Sequence, residues 1–293
     1  MTNSAFKPCH SVGFPIRQTR VATTALVIAI GLLSGCGSSS DEQLPVAKPI
    51  STALPSATLT ADQEKALATA NASLAAGSPS KAISEASEIL RAAGYNTSVI
   101  QTLGQAYAAQ ALMDSKSLSE ITGTSAVANA NLYGLKSLVN YETTASGSMS
   151  PNFTRLIDSG DAALNMMVPS GTSVSSLSPA LQKEVAVAST VQALRVLNSV
   201  VQTPTPNKMT TAKANAAVDA NYTAAQQAKL ENAAKLLVQT SSAAKDALSN
   251  GSPVTSALVT TMSTSLTTMI SDGVLDKDDV KQLATVFKAG WKR

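Results

Sequence analysis

The sequence predicts an all-α fold, a bundle or short solenoid of paired antiparallel helices, and three observations lead there. From Ala61 onward apolar residues recur at intervals of three and four, the spacing of one helix face. Alternation of Val or Ile with polar residues over five or more positions, the mark of a half-buried strand, is almost absent. Ser-Pro pairs stand at Ser78-Pro79, Ser150-Pro151, Ser178-Pro179 and Ser252-Pro253, where proline in a first helical turn forfeits no hydrogen bond.

Taken in order, the elements follow from these signals. Helices are expected near 61–76, 79–93, 97–113 and 123–142. A fifth, near 151–167, places Phe153, Leu156, Ile157, Leu164 and Met167 on one face. The sixth, near 179–202, is closed by Pro204 and Pro206 and carries Leu181, Val185, Val191, Leu194, Leu197 and Val200. So few polar positions remain that it is the expected central, buried helix. A long seventh near 222–249 ends at Gly251 and forms a tight hairpin with an eighth near 253–271. Asp276 then caps a ninth, with Val280, Leu283, Phe287 and Trp291 as its stripe. Alanine, serine and threonine dominate, so the helices can approach closely. Within this body, subdivision points fall near 143–150 or 168–178.

The first 36 residues have a different character. Residues 1–20 are polar and basic, Ala25 to Leu33 is an unbroken apolar run, and Ser34, Gly35 and Cys36 follow. The run is far short of the roughly 20 residues that span a bilayer. The order basic, apolar, small is that of a secretory signal. Leu33-Ser34-Gly35-Cys36 resembles the lipobox of bacterial lipoproteins, an aliphatic residue and two small ones before cysteine. The resemblance implies a signal peptide over 1–35, cleavage before Cys36, a diacylglyceryl thioether on its sulfur and an acylated (palmitate-bearing) new amino terminus. It also implies a site in the cell envelope; Gly37 in place of aspartate favours the outer membrane, with the body facing the periplasm. Residues 36–60 then read as the lipidated cysteine and a Ser/Pro/Thr-rich linker, and 61–293 as the helical domain.

Charge agrees with such a division. Lys7, Arg17 and Arg20 are the basic residues before Cys36, and no acidic residue precedes it, so the net +3 of the 293-residue chain belongs to the leader. A neutral body offers no electrostatic footprint for nucleic acid, and 3% aromatic content offers few stacking surfaces.

Ile100-x-x-Leu103-Gly104-x-x-Tyr107, preceded by Gly77, Ala82, Ala86 and Ile89, resembles a tetratricopeptide repeat over about 63–113, one and a half units. That resemblance implies close helix crossings at the small residues and a concave surface for a protein or peptide partner.

Chemistry has few footholds here. The one histidine, His10, and Cys9 lie in the leader, and Cys36 is the expected acyl acceptor, so a processed chain keeps no imidazole or free thiol. No phosphate-binding glycine loop is present. Asp158 and Asp161 form a carboxylate pair, read as exposed charges along a helix. The run from Asp272 to Asp279 resembles half of a calcium-binding EF-hand loop, but Thr268 and Ile270 stand where two further ligands belong. Trp291 with Lys288, Lys292 and Arg293 reads as a last helical turn with an inward tryptophan. No catalytic, cofactor or metal residue is therefore expected, and the one modified residue is Cys36. The function expected is a non-enzymatic, lipid-anchored scaffold or adaptor for another envelope protein. The alternative is an accessory ligand-binding subunit, such as one serving a transporter, with a cavity lined by Tyr107, Tyr133 and Tyr141.

Overall fold

The structure, a computed structural model, describes residues 56–115, 151–201, 210–240 and 253–291, without the side chains of 151–152, 253–259, 261 and 286–291. All of these residues belong to the compact unit Pro49–Arg293. Among them the protein is all-α, with nine helices and no strand. In chain order these are α1 (Ala61–Ala75), α2 (Pro79–Ala93), α3 (Thr97–Gln110), α4 (Pro151–Met167), α5 (Pro179–Val201), α6 (Thr211–Asn221), α7 (Ala224–Gln239), α8 (Pro253–Met269) and α9 (Lys277–Trp291). A 3-10 turn at Val174–Ser176 leads into α5.

Local chemistry sets the helix starts. Thr60 and Gln63 exchange hydrogen bonds in a capping box, and Thr223 and Gln226 repeat the device at α7. Asn96 accepts from the Val99 amide at 3.1 Å, and Asp276 accepts from the amides of Asp278 and Asp279. Ser78 makes no side-chain cap bond, so α2 opens on the geometry of Pro79 alone. Ahead of α1, Ala57 donates to the Tyr95 carbonyl at 2.7 Å and accepts from Asn96 Nδ2 at 2.7 Å. Ser56 likewise accepts from the Thr97 amide at 3.1 Å, so the chain just ahead of α1 is tied to the α2–α3 corner.

Two expectations are corrected. Helix α3 stops at Gln110, because Leu112 adopts a left-handed φ of 58° and turns the chain out of the helix. The single helix expected over 222–249 does not exist in that form. Instead α6 ends at Asn221, Tyr222 and Thr223 break the chain, and α7 stops at Gln239 before an extended Thr240. The tight hairpin expected at Gly251 lies outside the described residues. Helix 123–142 lies outside the described residues, as do Tyr133, Tyr141 and Cys36.

The helices pack in sequence at first and then around α5. The α1–α3 triplet shares a core of small and aliphatic residues, Ala70, Ala82, Ala86, Ile89, Val99, Leu103 and Ala106. Next, α3 packs on α4, α4 on α5 and α7, and α5 also touches α6, α7 and α8. Helix α5 is buried almost all round: 19 of its residues are buried, including Gln182, Ser189, Thr190, Gln192, Arg195, Asn198 and Ser199. Burial on every side is expected of a central helix. The buried polar groups are not, and several are satisfied by backbone carbonyls. Gln182 Nε2 donates to Leu177 O, Thr190 to Ala186 O, Gln192 Nε2 to Ile157 O and Ser199 to Val196 O, all within 2.9 Å.

Candidate functional site

The densest chemistry lies where α3, α4 and α5 meet. Gly104 of α3 sits so close to α4 that a Cβ there would fall 2.6 Å from Met167 N and 2.9 Å from Ala163 O. Only a hydrogen in place of a side chain permits that backbone approach. Gly160, earlier on α4, makes room for side chains instead: a Cβ there would fall 2.3 Å from Gln192 Oε1 and 2.7 Å from Met113 Sδ. Residue 104 thus meets 163–167 and residue 113 meets 160, the register of an antiparallel pair. Tyr107 packs against both apolar clusters and bridges them, and burial raises its phenol pKa. The crossing role that the Leu-Gly-x-x-Tyr motif suggested for Gly104 is realised, but with α4, far downstream, rather than with the helix before it.

From α3 the chain continues along α5. Arg195, fully buried, donates Nη2 to Ala111 O at 2.6 Å, and burial pulls its pKa down to about 10, which leaves it cationic at neutral pH. Glu184 Oε2 accepts from the Ser115 amide at 2.9 Å; burial raises its pKa, against the lowering effect of that bond. Between these two points Met113 is fully buried and Leu112 projects outward, 43% exposed.

The carboxylate pair occupies the seam between α4 and α7. Asp158 pairs with Lys229, and Asp161 accepts from Asn232 Nδ2 at 2.9 Å. Asn232 also donates to Asn165 Oδ1 at 3.2 Å, which makes a ladder of like spacing on two parallel helices. Burial raises the Asp161 pKa, and the Asn232 hydrogen bond and Lys229 oppose it. Each carboxylate has a partner across the seam, so the pair ties α4 to α7.

The turn between α8 and α9 is held by its backbone. Tyr222 donates its hydroxyl to Leu275 O at 2.9 Å, and Glu231 Oε1 accepts from Leu275 N at 3.1 Å. Asp272 accepts from Val274 N and Asp276 caps α9, so the carboxylates of the EF-hand-like run serve the turn itself. Among the described residues no group of three or more His, Cys, Asp or Glu is placed to hold a metal ion, and no helix is long and apolar enough to cross a membrane.

Sequence reasoning missed Gly160, Glu184, Gln192 and Arg195. The last two did leave a trace, an amide and a cation inside a helix otherwise built largely from Val, Leu and Ala. Such polar breaks in a buried run mark places where a neighbouring backbone must be met. No protein family matches the chain, and no curated protein or solved structure matches it either.

Proposed function

We propose that this is a lipid-anchored protein of the bacterial cell envelope, in the outer membrane and facing the periplasm, acting as a non-enzymatic scaffold or adaptor for another envelope protein. The observation that carries the reading is Leu33-Ser34-Gly35-Cys36 behind a basic stretch and a short apolar run. Acylation of Cys36 with a diacylglyceryl group and an amide-linked chain supplies more than one hydrocarbon tail. About 0.8 kcal/mol per buried methylene makes two or more tails a stable anchor where one is marginal. Anchoring turns the search for a partner into a local one and raises effective concentration without new contacts. Consecutive packing of α1, α2, α3 and α4, with a glycine crossing at Gly104, supports a repeat-like surface for a protein partner.

The test is fractionation. Cells expressing the protein should incorporate labelled palmitate into it and retain it in the membrane pellet. Cys36→Ala should abolish the label and move the chain to the soluble or uncleaved pool. Unchanged size and distribution of the variant would end the lipoprotein reading. Pull-down from detergent-solubilised membranes, with an enriched envelope protein expected, addresses the adaptor role separately.

A further inference from the structure

We propose that Gln192 is a positioning residue that sets the register of α4 on α5, with Gly160 as the feature it reads. Its carboxamide meets α4 at two points. Nε2 donates to Ile157 O at 2.8 Å, and Oε1 lies 2.3 Å from where a Cβ on residue 160 would stand. The contact therefore demands a carbonyl and, three residues on, a position without a side chain. Gly160 is the glycine of α4, and every other residue of that helix carries a Cβ. Gln192 is wholly buried, and its Oε1 has no hydrogen-bond partner among the described residues. A buried acceptor left unpaired costs stability that a methionine of similar length would not. The carboxamide supplies discrimination between arrangements instead.

The other contacts of α4 discriminate less between neighbouring registers. Gly104 of α3 meets Met167 N, Ala163 O and Met166 Cβ, atoms of kinds that recur along the helix. On the α7 side Asp158 faces Lys229 and Asp161 faces Asn232, three residues apart on both helices. Sliding α4 by three residues, about 4.5 Å at the helical rise, would bring Asp161 to Lys229 and keep an ion pair there. The same slide would put Ala163 where Gly160 lies, with its Cβ on Gln192 Oε1. Gln192 thus excludes a register that the α7 seam leaves open. This inference uses only the folded body and stands whether or not Cys36 is acylated.

A distance measurement between two spin labels on the full-length chain tests it. The labels sit on Thr154→Cys in α4 and Ala180→Cys in α5, both exposed positions, with Cys9→Ser and Cys36→Ser removing the other thiols. This chain should give one narrow distance. Adding Gln192→Met should preserve the helical circular dichroism and a urea midpoint at or above that of the parent, while a second distance appears about 4–5 Å away. Gly160→Ala puts a methyl where Oε1 lies; it should give a second distance too, with about a tenfold lower folding equilibrium constant. A folded Gln192→Met chain that keeps the single distance would overturn the proposal at any stability, because Gln192 would then only fill space. Should Gln192→Met not fold, a Gly160→Ala chain with the single parental distance would overturn it in the same way.

Discussion

Gly104 shows how much one absent side chain can decide. In an exposed helix interior, glycine to alanine stabilises by about 1 kcal/mol, because alanine is the better helix former. At Gly104 the neighbours of an added Cβ are the Met167 amide nitrogen and the Ala163 carbonyl oxygen, atoms that cannot swing aside as a side-chain tip can. The sign should therefore reverse. Gly104→Ala should lower the unfolding free energy by about 2–3 kcal/mol, through α4 being pushed off α3. Urea denaturation followed by circular dichroism reads this directly, and a stabilised variant would mean that the two backbones do not touch. The sequence offers Gly104 and Tyr107 through their spacing. It offers no comparable sign of Gly160, because that glycine answers to Gln192, a residue on another helix.

Helix ends are legible where the side chain does the capping and illegible where tertiary packing does the work. Thr60-x-x-Gln63 and Thr223-x-x-Gln226 are both capping boxes that can be read from the letters, yet the apolar spacing beyond the second runs on and imitates one long helix. The stretch 211–221 gives no signal for a physical reason: Ala, Asn and Lys fill it, only Ala214 and Val218 are buried, and so it has no apolar stripe. In contrast, 151–167 is readable to the residue, because its stripe and its opening proline agree. Capping makes a measurable distinction between starts that look alike in sequence. Thr223→Ala should cost about 1 kcal/mol, since it leaves the Gln226 amide without its acceptor. Ser78→Ala should change stability by less than about 0.5 kcal/mol, because Ser78 makes no side-chain cap bond. Thermal unfolding of the two variants side by side tests the pair, and equal losses would contradict the assigned caps.

At the scale of the whole molecule, stability answers to pH through partly buried carboxyls. Asp161 and Glu184 have raised pKa values, with burial the chief cause in each. A raised value means that the folded state takes up its proton at a higher pH than the unfolded chain does. The folded state is thus penalised at neutral pH and gains stability as pH falls through the raised value toward the ordinary carboxylate value. Asp161→Asn keeps an oxygen for Asn232 and removes the titration. It should raise the melting temperature by about 1–3 °C at neutral pH, a difference that closes near the ordinary carboxylate value of about 4. A gap that widens on acidification would reverse the assigned sign. The all-helical architecture and the central place of α5 are legible because burial of an entire helix requires an apolar run. The polar groups inside α5 are not, because several are matched to carbonyls that sequence order does not bring near them.

The bonds that join Ala57 to Tyr95 and Asn96 also set a load path. A tug on the chain upstream of Ser56 meets the corner between α2 and α3 before it reaches the first turn of α1. Mechanical tension is shared between two stretches of backbone, and α1 is shielded from being peeled away from its end. The start of α1 is therefore preceded by a tie to another part of the helical body rather than by a free end.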